Sequence, residues 1–246
     1  MAIHDFNAQR LFLDASLVAG EPIAATREQA NYLLNVMRLT SGDRLLAFNG
    51  RDGEWLVEVV AVGKRGLDLV PLDAVRAQTP PGTICYLFAP LKRARLDYMV
   101  QKAVEMGVGR LSPVMTRRTV AERVNLERMR ANAIEAAEQC GIISLPDIDE
   151  PLALAKVLDG WDASIPLVVC DETAVVANPI AALAGVRKGP VGLLVGPEGG
   201  FAREELEMIR AMPCAVAISL GPRIMRADTA AVAALGLLNA TVGDWG

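Results

Sequence analysis

The sequence predicts an α/β protein in two parts, a small β-rich unit and a larger unit in which strands and helices alternate. Three observations support this prediction. Short apolar or alternating runs separated by tight turns fill most of residues 1–77. The sequence QTPPG at 78–82 then interrupts regular structure. After it, apolar runs of strand length are followed by helical patterns, so we place the domain boundary between residues 77 and 78 and assign 78–246 to the second unit.

The first unit is predicted to consist of short strands with one inserted helix. The helix begins at Thr26, which forms a capping-box pattern with Gln29, and continues to about Arg38. Turns at RDG and KRG separate the later runs. Short strands joined by tight turns favour a barrel. The predicted strands are residues 10–14, 45–50, 54–62 and 67–75.

The second unit is predicted to contain a mostly parallel sheet covered on both faces, because apolar strands alternate with amphipathic helices. Ligands of such sheets bind at the carboxyl ends of the strands. The predicted strands are residues 83–90, 110–115, 165–171, 191–196 and 214–220. The predicted helices are residues 96–106, 126–140, 179–183, 203–212 and 227–242.

Composition excludes several classes of protein and reaction. The chain has 246 residues, of which 52% are hydrophobic and 22% charged, and this is ordinary for a globular protein. No stretch is apolar enough for a membrane helix or a secretory signal, so we expect a cytoplasmic protein. His4 is the only histidine and the four cysteines form no CxxC pair. Histidine-based triads and a metal site are therefore not expected.

The charges are unevenly distributed, although the formal net charge is only -4. Between Lys92 and Arg130 the chain carries ten basic and four acidic residues. Such a segment could face the phosphates of a nucleic acid. The alternative is a solvated helix surface with arginines dispersed on all sides.

The final helix, ADTAAVAALGLLNATV, is apolar on nearly every side. One face packed against its own sheet would leave a second apolar face uncovered, and a homodimer interface would cover it. Complete burial within a single chain is the alternative.

Two glycine-containing loops follow neighbouring predicted strands. In LLVGPEGGF, the residues Phe201 and Ala202 stand where a P-loop needs Lys and Ser or Thr, and the dinucleotide pattern GxGxxG is also absent. A turn that lets a ligand approach the backbone, or a bare structural turn, remains. The second loop, SLGPRIMRAD, also follows a strand and presents arginines. Together the two loops predict a pocket, stiffened by Pro197 and Pro222.

These loops resemble those of the SPOUT class of knotted methyltransferases, and within it the bacterial enzymes that make N3-methyluridine in the decoding region of 16S rRNA. The resemblance extends over nearly the whole chain. It includes QKAVEMGV at 101–108, TRRT at 116–119, EAAEQC at 135–140, RLFLD at 10–14 and NYLLNVMRLTSGD at 31–43.

The resemblance implies an N-terminal PUA-like RNA-binding β-barrel, then a SPOUT domain with a C-terminal trefoil knot, acting as a homodimer on 16S rRNA or the small ribosomal subunit. It also implies S-adenosyl-L-methionine as the cofactor, with no metal and no membrane partner. The strand end at 170–172 adds to the implied pocket. The implied cofactor-binding residues are Cys170, Val195, Gly196, Pro197, Glu198, Gly199, Ser219, Leu220, Gly221, Ile224, Met225 and Arg226.

Side-chain roles follow as hypotheses. Arg226 and Arg223 are expected to orient the base or a phosphate, and Glu198 or Asp228 to accept a proton. Each has a structural alternative: helix-start pairing for Arg226, a phosphate clamp for Arg223, and capping for the two acids. The expected RNA contacts are Arg10, Lys92, Arg93, Arg95, Arg117 and Arg118.

The chain departs from the family pattern at Ala202, where many members have Ser or Thr as a helix cap, and at 141–143, where GII replaces an expected Arg. Asp228 also stands where the family often has Glu. Two other functions remain open. One is a non-catalytic RNA-binding assembly factor, and the other is a methyltransferase that acts on a ribose 2′-OH or a different base.

Overall fold

The computed structural model describes residues 9–62, 66–121, 123–174 and 178–245. His4 and most of the KRG turn lie outside these residues. The chain forms two compact units. One contains the chain up to Pro80 together with Ala137–Leu145, and the other contains Pro81–Ala136 together with the chain from Pro146 onward.

The return of residues 137–145 to the first unit has a physical cause in hydrogen bonds. A Glu138 Oε1 accepts from the Phe12 amide at 2.8 Å, and the Gly141 carbonyl accepts from Arg76 Nη2 at 2.8 Å. Our sequence boundary assigned this segment to the second unit, because side-chain partners more than sixty positions apart leave no local pattern.

The first unit is built on a five-stranded sheet whose order is β1-β3-β4-β5-β2. Strand β1 runs parallel to β3, and the other pairs are antiparallel. Four strands match the predicted ones, and the two-residue β2 was missed. Closure of this sheet into a barrel stays a prediction. The strands are β1 (Arg10–Phe12), β2 (Ile23–Ala24), β3 (Arg44–Phe48), β4 (Glu54–Val62) and β5 (Gly66–Arg76).

The inserted helix has the predicted start. Helix α1 (Arg27–Asn31) continues as a π-helical turn over Tyr32–Val36. The Thr26 side chain accepts from the Gln29 amide at 3.2 Å, and the Gln29 side chain accepts from the Thr26 amide at 2.9 Å. This reciprocal pair confirms the capping box.

A buried ion pair lies within the first unit. The Arg10 Nε lies 2.9 Å from Glu54 Oε1, and these side chains are only 3% and 5% exposed. Arg76 Nη2 lies 3.3 Å from the same Glu54 oxygen. The RNA contact that we expected for Arg10 is therefore corrected: a guanidinium enclosed by protein and bonded to a buried carboxylate does not present itself to a phosphate.

The second unit contains a parallel sheet in which β10, β11 and β6 are central. The order is β12-β10-β11-β6-β7-β8, and β9 also pairs with β7. Every one of these pairs is parallel, which confirms the predicted type of sheet. The strands are β6 (Ile84–Phe88), β7 (Val108–Met115), β8 (Asp147–Ile148), β9 (Leu152–Ala153), β10 (Leu167–Cys170), β11 (Val191–Val195) and β12 (Ala215–Ile218).

Helices pack around this sheet. Helix α7 buries Ala231, Ala234 and Leu235, while Val232, Ala233 and Leu237 are only half-buried. No described helix has the length and apolar character needed to cross a membrane. The short elements α4, β8 and β9 were missed from sequence, and the trefoil knot stays a prediction. The helices are α2 (Ala94–Glu105), α3 (Leu126–Cys140), α4 (Leu154–Asp159), α5 (Pro179–Leu183), α6 (Arg203–Arg210) and α7 (Ala227–Thr241).

The buried ion pair can be tested by two substitutions on the same strand. We expect Glu54→Ala to lower the free energy of unfolding by about 3 kcal/mol, because it leaves a buried arginine without its carboxylate. Glu58→Ala removes the exposed pair with Arg44, which spans 3.4 Å, and should cost about 1 kcal/mol or less. Urea denaturation monitored by circular dichroism measures both, and equal losses would contradict the difference in burial.

Candidate active site

Three loops leave the carboxyl ends of the adjacent strands β10, β11 and β12 and enclose a cavity of about 330 Å³. This volume lies in the usual range for a small-molecule site. Of the residues expected to bind the cofactor, these line it: Cys170, Val195, Gly196, Pro197, Glu198, Gly199, Leu220, Gly221, Ile224 and Met225. Ser219 and Arg226 are outside the lining, whereas Arg223 and Arg118 are part of it.

In the loop after β11, the backbone of Gly196 lies close to the Phe201 ring. A Cβ atom at Gly196 would lie 2.8 Å from Phe201 Cε2, so only glycine fits beside this ring. Phe201 is buried. The Gly200 amide donates to the Pro197 carbonyl at 2.9 Å, and Gly200 has a φ of 68°. The glycines therefore permit a tight turn over a buried phenylalanine.

Helix α6 begins directly after this loop. Ala202 has no side-chain acceptor for a cap, as expected from the sequence. The structure shows a partial replacement: Glu205 Oε2 accepts from the Ala202 amide at 2.8 Å. One of the free amides at the helix start is thereby satisfied.

The loop after β12 carries the two arginines that were expected to orient the base or a phosphate. Gly221 has a φ of 103°, and its amide donates to Ser219 Oγ at 3.4 Å. Arg223 and Arg226 are both exposed, and Arg226 immediately precedes α7. Asp228 lies in the first turn of α7, where its Oδ1 accepts from the Thr229 amide at 2.9 Å.

The loop after β10 contains a buried acid, Asp171, which lies in the strand end at 170–172 that was expected to add to the pocket but which had been given no role of its own. Asp171 lines the cavity and accepts from the amide and the hydroxyl of Thr173 at 2.8 and 2.6 Å. Arg210 Nη2 donates to its other oxygen at 2.8 Å. Burial raises the pKa of this carboxyl, but the hydrogen bonds from Thr173 and Arg210 outweigh burial and hold the pKa below its ordinary value of 3.8.

The neighbouring Cys170 has a different chemical character. Burial raises the pKa of its thiol to about 12. The thiol therefore stays protonated near neutral pH and is not a nucleophile. Its position in the cavity is that of a small apolar wall residue.

Arg118 and Arg223 line the cavity and are exposed at its rim, and several other basic side chains lie in the neighbouring loops. Arg95 Nη1 lies 3.5 Å from Glu198 Oε1, and Arg118 Nη1 donates to the Gly199 carbonyl at 2.7 Å. Arg117 Nη1 lies 3.0 Å from Glu204. Lys92 and Arg93 are exposed between β6 and α2.

The basic character of the segment from 92 to 130 is thus reduced by acids elsewhere in the chain. Arg110 pairs with Asp149 at 2.8 Å, in addition to the Glu198 and Glu204 pairs above. Within the segment, Arg128 pairs with Asp97 at 2.6 Å. Among the described residues, no group of three or more His, Cys, Asp or Glu side chains could hold a metal ion.

A parallel sheet with a glycine-rich pocket at its strand ends and arginines beside it is typical of α/β proteins that bind a small ligand at this edge of the sheet. Residues 78–239 match the family model of the RNA methyltransferase domain, and residues 25–72 match that of the RNA methyltransferase PUA domain. The chain belongs to this RNA methyltransferase family.

Similar proteins are known from several bacteria. A ribosomal RNA small subunit methyltransferase E from Rickettsia conorii is 28% identical over 92% of this chain and 93% of its own length. The Bacillus subtilis protein of the same name is 25% identical over 94% and 96%. A methyltransferase from Legionella pneumophila, solved with bound SAM, has a TM-score of 0.82 and 25% identity, covering 96% of this chain and 99% of that one.

The buried acid at the cavity predicts a pH-dependent contribution to stability. Because the folded-state pKa of Asp171 is lowered, its stabilising contribution is complete above the unfolded-state pKa and is lost as the pH falls through the folded-state value. We therefore expect Asp171→Asn to lower Tm near pH 7, with the gap to the wild type closing as the pH falls below about 4. Thermal unfolding measured across this pH range, with exposed Glu172→Gln as the control, tests the prediction. A gap that does not change with pH would count against it.

Proposed function

We propose that the chain transfers a methyl group from S-adenosylmethionine to N3 of a uridine in the decoding region of 16S rRNA, in the cytoplasm. The cavity at the ends of β10, β11 and β12 is the observation that carries this proposal. Its support comes from the relatives, since the Rickettsia and Bacillus proteins are named as small-subunit rRNA methyltransferases.

The cavity fits the proposed cofactor in size and chemistry. Val195, Leu220 and Met225 contribute apolar surface suited to a flat ring, and the glycines of both loops let a ligand approach backbone amides and carbonyls. Asp171 offers a fixed carboxylate for a hydroxyl group. When bound, the cofactor supplies a methyl group that its positively charged sulfur has already activated.

The residues of this chain are proposed to position the base and to assist loss of the proton from its N3. A neutral uridine N3 is a poor nucleophile, so a guanidinium that stabilises the deprotonated base accelerates attack. Arg223 at the cavity and Arg226 beside it are proposed for this role. Glu198 and Asp228 are the candidate proton acceptors, and the ion pair with Arg95 orients Glu198.

The rim is proposed to bind the RNA backbone. Lys92, Arg93, Arg95, Arg117 and Arg118 would contact phosphates and fix the register of the substrate without reading its sequence. The target base must be unpaired or turned out of its helix to enter the cavity. The PUA domain would contribute a second RNA-binding surface.

A homodimer is part of the proposal. Helix α7 has a second apolar face formed by Val232, Ala233 and Leu237, which a single chain leaves half-buried. A second copy would cover this face and remove it from water. The knot of the SPOUT class is proposed with it, since both features come from the same resemblance.

The methylated nucleoside tests the proposed function directly. We expect transfer of tritiated methyl from S-adenosylmethionine to small ribosomal subunits of a strain that lacks the modification, and N3-methyluridine after digestion and mass spectrometry. Naked 16S rRNA is compared in parallel to identify the substrate form. Label on a ribose or another base would favour a different methyltransferase, and cofactor binding without transfer would favour an assembly factor.

The proposed role of Arg226 predicts a separation of binding from turnover. Because Arg226 is exposed and lies outside the cavity lining, Arg226→Ala should retain the fold and the cofactor affinity measured by isothermal titration. Methyl transfer should fall by roughly 100-fold through loss of electrostatic stabilisation. Exposed Arg187→Ala, on a different part of the chain, serves as the charge control. Unchanged turnover in Arg226→Ala would remove this residue from the mechanism.

A further inference from the structure

A buried carboxylate connects two loops that the sheet itself does not join. Glu205 is 4% exposed and lies in the first turn of α6. Its Oε2 accepts from the Ala202 amide, and its Oε1 accepts from the Arg117 amide, both at 2.8 Å. The first bond belongs to the loop after β11, and the second belongs to the turn after β7.

The strand order explains why such a connection is needed. Strand β6 lies between β11 and β7, so no backbone ladder joins the two loops. The turn after β7 is itself well defined: Thr119 Oγ1 accepts from the Thr116 amide at 2.9 Å, and the Thr119 amide donates to the Thr116 carbonyl at 3.2 Å. Glu205 therefore holds this preformed turn against the loop after β11, residues 196–202, which we call the cavity loop.

Helix capping alone does not account for a buried charge at this position. A Ser, Thr or Asp at residue 202 would bond amides of the first helical turn without reaching any other loop. Burying a carboxylate has a free-energy cost that its hydrogen bonds must offset. The bond to the Arg117 amide is the interaction that a local cap would not make, and it fixes the residue next to Arg118.

Arg118 is the group that this arrangement positions. Its Nη1 donates to the Gly199 carbonyl at 2.7 Å, and a Cβ at Gly199 would lie 3.5 Å from Arg118 Cδ. The side chain thus lies along the cavity loop, and it is exposed and lines the cavity. A guanidinium there has donors to offer an anionic substrate.

We propose that Glu205 is a positioning residue of the methyltransferase site, which holds the turn 116–119 on the cavity loop so that Arg118 meets the RNA at the rim. The proposal rests on the proposed function in one respect, namely that RNA binds at this rim. It does not depend on which atom of the RNA is methylated.

The test compares two neighbouring carboxylates in the same helical turn. Glu205→Gln places an amide group against one of two N–H donors and so breaks one bond. Glu204→Gln removes the same charge from an exposed side chain, which pairs with the Arg117 guanidinium and not with the Arg117 amide. We expect Glu205→Gln to lower kcat/KM for small subunits about 10- to 100-fold with unchanged cofactor affinity, and Glu204→Gln to match the wild type.

A double-mutant cycle separates positioning from general stability. If Glu205 acts through Arg118, the double variant Glu205→Gln with Arg118→Ala loses no more than Arg118→Ala alone. Multiplicative losses would overturn the proposal. A Glu205→Gln protein with a lower Tm but wild-type kcat/KM, assayed where it is folded, would also overturn it and leave Glu205 as a helix cap.

Two further measurements cover the cases in which Glu205→Gln does not fold or the wild type transfers no methyl group. Should Glu205→Gln fail to fold, Glu205→Asp replaces it, because its shorter carboxylate is expected to keep the local bond to the Ala202 amide and lose the bond to the Arg117 amide; wild-type kcat/KM in this variant overturns the proposal. Should the wild type transfer no label, the proposed function fails. The role of Glu205 is then decided by co-sedimentation with small subunits, which Glu205→Gln and Arg118→Ala must weaken equally and Glu204→Gln must not.

Discussion

The parallel alignment of β10, β11 and β12 is the constraint on which the site depends. Val168 in β10 lies in register with Leu193 on one side and with Val216 on the other, so the three strands end at the same edge of the sheet. The loops that follow the three strands therefore lie next to one another at this edge. The common edge places the buried acid after β10 and the glycine turns after the other two strands around one cavity.

Features with a local cause were predictable from the sequence. The capping box at Thr26, the longer strands β6, β7, β10, β11 and β12 of the parallel sheet and the helix at 126–140 each depend on residues within one element or one turn. The two glycine loops could be assigned to strand ends because both follow apolar runs. Their strands, β11 and β12, are not neighbours as we predicted, since β10 lies between them. The cofactor and the uridine came from family resemblance, and no periodicity in the chain implies either of them.

Features that depend on distant partners were not predictable. Arg210, 39 positions away, completes the hydrogen bonding of Asp171, and Glu54, 44 positions away, pairs with Arg10 in the core. The basic segment looked like an uncompensated surface because Asp149, Glu198 and Glu204 are far from it in sequence. In each case the chemistry of a charged side chain is decided by a partner that folding brings to it, and a single sequence does not record the pairing.

The return of residues 137–145 to the first unit has a consequence for the order in which the protein can be completed during synthesis. The N-terminus of a chain emerges from the ribosome first, and domains usually fold as they emerge. Here two hydrogen bonds of the first unit, from the Phe12 amide to Glu138 and from the Arg76 guanidinium to Gly141, can form only after residues 138 and 141 have been made. The N-terminal unit therefore reaches its final hydrogen bonding only after the chain has been made as far as residue 145, well into the second domain.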